Sequence, residues 1–126
     1  MNFQTLFEKK LSPLKVCRIV INQNERKFFD LRCIDGVTGR NTRRGLFVDA
    51  DEARDLFALI TDIPKGKNEE LLPSSGRTLI TRRDAKGFAL FANRKDPLSA
   101  FSGLYLTNDE YLSLVATIEE FETALK

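Results

Sequence analysis

Histidine is absent from the 126 residues, and with it the side chain that most often moves protons near neutral pH. There is no Gly-rich phosphate loop, and no Cys or Ser is accompanied by a plausible base. These gaps argue against an enzyme, and no cofactor or bound metal is expected. Cysteine is scarce. Cys17 and Cys33 stand inside apolar stretches rather than at metal-ligand or redox spacing, so they read as small core residues with no disulfide implied. Long apolar runs are missing too: Met1 to Lys10 lacks the centre of a signal peptide, and no segment approaches the length of a membrane span. The expectation is a soluble intracellular protein that meets no membrane and is not secreted.

What is present is 42% hydrophobic residues, enough for a real core in one domain or two small subdomains. Net charge is only +2, but it is unevenly spread. Residues 14–48 hold eight Lys/Arg against three Asp/Glu, and residues 49–63 hold one against five. The alternation recurs, with six against two over 77–106 and one against five over 107–126.

The chain repeats itself. At an offset of 58, Gly45-Leu46-Phe47-Val48 falls on Gly103-Leu104-Tyr105-Leu106, Asp51-Glu52 on Asp109-Glu110, and Leu56, Ala58 and Ile60 on Leu114, Ala116 and Ile118. At 59, Phe29, Leu31 and Cys33 fall on Phe88, Leu90 and Ala92. Each half closes on a helix signal, a capping-box pattern at Asp49 to Glu52 and at Thr107 to Glu110. Apolar residues then recur at helical spacing: Ala53, Leu56, Phe57 and Ile60 in the first, and Tyr111, Leu114, Val115 and Ile118 in the second, each leaving an acidic face outward.

Upstream of each helix the period drops to two. Cys17, Ile19 and Ile21 alternate against Arg18, Val20 and Asn22, and Phe29, Leu31 and Cys33 against Phe28, Asp30, Arg32 and Ile34. A loop at Asp35 to Gly39 and a short strand over Arg43 to Val48 lead into the first helix. The second half has strand patterns near Thr78 to Arg83, Gly87 to Arg94 and Gly103 to Leu106. The predicted fold is α+β: two tandem repeats, 14–63 and 77–126, each a curved antiparallel sheet followed by one C-terminal helix. Residues 64–76 read as a Pro, Gly and Ser linker with no fold of its own, and residues 1–13 as a short amphipathic helix or a mobile basic arm.

In such a repeat the helix covers one sheet face, and the other face and the hairpins carry the Lys and Arg. A basic, partly aromatic sheet surface suits unpaired nucleic acid, because cations neutralise phosphates and ring faces stack bases of any identity. Phe47, Tyr105, Phe88 and Phe91 serve as core or as stacking platforms, with core favoured for Phe88.

The first half, through Arg26-Lys27-Phe28-Phe29-Asp30-Leu31-Arg32 and then Arg40-Asn41-Thr42-Arg43-Arg44-Gly45-Leu46 before a capped helix, resembles the single-strand-binding core of the transcriptional coactivator positive cofactor four family. The resemblance is better over 14–63 than over 77–124. It implies phosphate contacts from Arg26 and Arg32 on a curved ridge and from Arg40, Arg43 and Arg44 in the loop, with Lys27 and Phe28 in the same motif. In the second half Arg82, Arg83, Lys86, Phe91, Arg94 and Lys95 stand in comparable places. Two departures imply unequal halves: the family's hairpin aromatic is Gln23 here, and the basic pair of the first half becomes Phe101-Ser102 in the second. The resemblance further implies helices packed at a dimer interface, so a tandem chain would form a pseudo-dimer within one molecule or pair with a second copy as a homodimer.

The expected partner is therefore single-stranded DNA bound with low sequence specificity, in transcription, replication or recombination. RNA and unwound duplex would use the same surface, and whirly-like proteins also set repeated sheet-helix units on single strands. A different class of reading is a protein-interaction module acting through the acidic helices.

Overall fold

In the computed structural model, residues 2–92 and 103–126 are described. The first half runs β1 (Phe3–Ser12), β2 (Lys15–Asn22), β3 (Lys27–Ile34), β4 (Asn41–Asp49) and α1 (Ala50–Thr61). The second runs β5 (Gly66–Leu71), β6 (Thr78–Arg83), β7 (Gly87–Ala92), β8 (Leu104–Thr107) and α2 (Asn108–Leu125). Each half is thus a four-stranded antiparallel sheet, in the orders β1-β2-β3-β4 and β5-β6-β7-β8, followed by its helix. The fold is α+β, as the change of period predicts.

Each sheet has one strand more than the sequence pattern suggests. Residues 1–13 supply β1 instead of a helix or free arm. Phe3, Leu6 and Phe7 have helical spacing, but a register shift between Thr5 and Phe7 puts them into a strand. The stretch 64–76 contains β5, whose Gly-Lys-Asn-Glu-Glu-Leu sequence has no apolar alternation and is held by its ladder with β6.

Alternation sends Cys17, Ile19, Phe29, Leu31, Leu46 and Val48 to the inner face of the first sheet, and Leu79, Phe88, Leu90, Leu104 and Leu106 to that of the second. The helix stripes fill the space between, and the two halves share one core. Phe121 of α2 packs among first-half rings: its centroid is 5.2 Å from Phe7, 5.3 Å from Phe29 and 6.0 Å from Phe57. Tyr111 donates its hydroxyl to the Ile60 carbonyl at 2.7 Å, joining α2 to α1. Cys17 is fully buried, and burial, with the charge of Asp30 adding, pushes its thiol far above the ordinary range.

The helix starts are capped as the sequence predicts. Asp49 accepts from the Glu52 amide at 2.9 Å, and Thr107 and Glu110 make the full reciprocal box. The two Glu side chains also join the halves. Lys15, just past the β1–β2 turn, pairs with Glu110 at 2.8 Å, and Ser12 donates to the same carboxylate. Arg77, which closes the β5–β6 turn, pairs with Glu52 at 3.4 Å. Each hairpin therefore presents a cation to the third residue of the other half's helix. Both carboxylates are nearly fully buried, a placement that is costly for an unpaired charge.

Candidate functional site

With the helices on the inner faces, the outer faces display the side chains of opposite alternation. On the first sheet the register sets Arg18 against Asp30 and Asp30 against Phe47, while Val20 faces Phe28 and Arg32 faces Gly45. Asp30 is 3% exposed, so its charge needs partners. Arg18 supplies one, Nη2 to Oδ2 at 2.7 Å, as a hydrogen bond. Arg32 supplies the other, Nε to Oδ1 at 2.7 Å, as an ion contact without hydrogen-bond alignment. Two guanidiniums surround one carboxylate, with Glu8 of β1 in register with Arg18 on its other side, and both arginine side chains are held in place.

Next to it lies an aromatic cluster. Phe28 and Phe47 stack with centroids 4.9 Å apart and planes at 17°. Phe3 meets both edge-on, at 5.9 Å and 5.5 Å. Arg26 lies over the Phe28 ring at 5.4 Å and reaches Asp49 at 3.8 Å. The arrangement offers ring faces and edges beside fixed and exposed guanidiniums, a surface able to contact flat aromatic groups and anions together.

The second sheet carries a different set at matching places. Arg82 faces Ala89, Ala89 faces Tyr105, and Ile80 faces Phe91. By the duplication Ala89 stands where Asp30 does, Phe91 where Arg32 does and Tyr105 where Phe47 does. Arg82 is exposed and has no ion-pair partner among the described residues. Phe91 and Tyr105 are 42% and 47% exposed.

Two glycines adapt the frame to these exchanges. Gly45 has φ +150°, and a Cβ there would stand 2.1 Å from the Leu31 carbonyl oxygen and 3.2 Å from Cδ of Arg32. The Arg32 stem therefore lies across bare backbone. Its counterpart Gly103 has φ +90°, and a Cβ there would meet the Phe91 ring at 3.4 Å. The same socket holds a guanidinium stem in one sheet and a phenyl ring in the other.

Of the residues expected at the site, Arg26, Phe28 and Arg32 come together around the first outer face, and Arg82 and Phe91 lie on the second. Arg43 and Arg44 lie on β4 beside Gly45. Arg40 is exposed at the end of the β3–β4 loop, where hydrogen bonds from the Val37 and Thr38 amides hold the Asp35 carboxyl below its ordinary range. Lys86 is exposed in the β6–β7 hairpin. Two expected contacts are turned elsewhere. Lys27 donates to the Lys126 carbonyl at the end of α2. Arg83 shares the inner-face register of Phe88, lies 4.9 Å over the Tyr111 ring and donates to the Ile63 carbonyl at 3.2 Å. Arg94 and Lys95, like Phe101 and Ser102, lie outside the described residues.

Arg18 and Phe3 belong to the site although neither is in the set expected from sequence. Alternation in β2 already places Arg18 opposite Cys17 and Ile19, whereas Phe3 becomes visible only once β1 is a strand. In comparisons with known proteins, no protein family, curated protein or solved structure matches this chain.

Proposed function

We propose that this chain binds single-stranded DNA with low sequence specificity through the outer faces of its sheets. The observation that carries the reading is the first outer face, where the Phe3–Phe28–Phe47 cluster adjoins the Arg18–Asp30–Arg32 group and Arg26. Phosphates spaced along a flexible strand match the spread of guanidiniums on that face, and unpaired bases match exposed rings such as Phe91 and Tyr105 of the second outer face in a way that duplex DNA, with its bases stacked inside, does not. The likeness of residues 14–63 to the positive cofactor four core supports the same reading and points to a role in transcription, replication or recombination.

The test is fluorescence anisotropy with labelled single-stranded DNA, duplex DNA and RNA over a salt series. Single-stranded DNA is expected to bind most tightly, with affinity falling steeply as salt rises. Arg26→Ala combined with Arg43→Ala and Arg44→Ala should weaken binding to all sequences alike and make the salt slope shallower, with circular dichroism unchanged. Absence of binding at low salt would reject the proposal.

A further inference from the structure

The two outer faces are built from the same frame but differ in chemistry at matched positions. Where the first sheet has Asp30 between Arg18 and Phe47, the second has Ala89 between Arg82 and Tyr105. The carboxylate that ties down Arg18 and Arg32 is replaced by a methyl group. Arg82 is left exposed without an ionic partner among the described residues, and the floor between it and Tyr105 is low. Arg82 and Tyr105 sit two strands apart, which is about 10 Å between backbones. A flat base stacked between a guanidinium and a ring needs roughly 7 Å between those planes, which is less than this backbone spacing.

The surrounding residues keep the gap open. Phe28 of the first sheet corresponds to Gly87, and a Cβ there would stand 2.9 Å from the Tyr105 hydroxyl. Tyr105 therefore leans across bare backbone with its ring half exposed, instead of stacking on a neighbour as Phe47 does on Phe28 at 4.9 Å. Phe91 leans the other way, over Gly103. Lys67 lies beyond Arg82 in the same row, with Glu69 in the next row along β5. In the first sheet the rings pack on one another; the second presents two separate rings to solvent beside a guanidinium that has no ionic partner among the described residues.

We propose that the second outer face is a base-contacting site, in which an unpaired base enters over Ala89 between Arg82 and Tyr105 with Phe91 as a further stacking surface, while the first outer face grips phosphates. The inference rests on the binding proposed above and assigns the two halves different tasks within it.

The full chain separates these claims when titrated with oligothymidylate and with an abasic strand of the same length and charge. Wild-type protein binds oligothymidylate about tenfold more tightly than the abasic strand. Tyr105→Ala combined with Phe91→Ala binds both alike, at the wild-type level for the abasic strand, and Tyr105→Phe retains the preference. Both rings are exposed, so circular dichroism and the urea midpoint should be close to wild type. Tyrosine emission gives a readout that needs no variant. The chain has no Trp and two Tyr, of which Tyr105 is 47% and Tyr111 4% exposed, so oligothymidylate quenches the emission and the abasic strand does not. Equal wild-type affinity for the two strands would overturn the base site while leaving phosphate binding intact. A preference that survives the double variant would also overturn it, by placing the base contact elsewhere. Failure to bind either strand at low salt would instead reject the underlying function.

Discussion

Lys15, at the start of β2, reaches across to Glu110 in the first turn of α2 and places its ammonium 2.8 Å from a carboxylate 95 residues away. Burial alone would raise the Glu110 pKa, but the hydrogen bonds from Lys15, Ser12 and the Thr107 amide, with the charge of Lys15, outweigh it and hold the carboxyl below its ordinary value of 4.5. A carboxylate whose pKa is lowered by folding stabilises the folded state fully above that ordinary value, and the contribution is lost as pH falls through the lowered one. Lys15→Ala should cost about 2–3 kcal/mol at neutral pH, since it leaves Glu110 buried with fewer partners. Glu110→Gln should flatten the acid side of the stability profile. Urea unfolding at a series of pH values measures both, and an unchanged acid limb in Glu110→Gln would contradict the assignment.

Phe121 tests whether the halves form one cooperative unit. Its side chain is fully buried among Phe7, Phe29 and Phe57, all of the first half. Phe121→Ala should therefore cost about 3–5 kcal/mol. The loss should appear as a shift of a single transition seen alike by far-ultraviolet dichroism and by calorimetry. Two separated transitions, with only the later-melting half affected, would show that the halves fold independently.

Gly45 and Gly39 make a matched pair for backbone strain. Both have positive φ, but a Cβ at Gly45 would collide with the Leu31 carbonyl, whereas nothing stands within 4 Å of one at Gly39. Gly45→Ala should destabilise by roughly 3 kcal/mol, from clash and strain together. Gly39→Ala should cost about 1 kcal/mol, from the left-handed backbone alone. Equal costs, measured by thermal unfolding, would mean that the close approach at Gly45 is relieved by a small backbone shift.

Much of this fold is legible along the chain because the duplication writes the key signals twice. The caps at Asp49 and Thr107, the helical stripes after them, and the period of two in β2 and β3 all reflect burial of one face, which leaves a regular trace in residue type. β1 and β5 leave no such trace. In β1 a bulge near Leu6 breaks the alternation, so Phe3 points out and Phe7 in. In β5 the side chains are polar and only the backbone pairs. The site is readable to a similar degree. Alternation in β3 puts Phe28 and Arg32 on one face, and the resemblance to the positive cofactor four core singles out Arg26 and Arg32, whereas Arg83, grouped with the hairpin cations, has the register of the core. Asp30 as the buried hub for two arginines depends on cross-strand neighbours, which no local pattern reveals.

The glycine sockets under Arg32 and Phe91 also bear on how a duplicated chain can diversify. When one surface residue lies on bare backbone, its replacement by another of similar reach disturbs no packed neighbour. A copy can thus trade charge for an aromatic ring while the scaffold beneath stays as it was. Grafting follows the same logic: Phe91→Arg in the second half should be accepted by a seat already cut to fit, whereas Arg32→Phe in the first also takes a partner from buried Asp30 and calls for Asp30→Ala beside it.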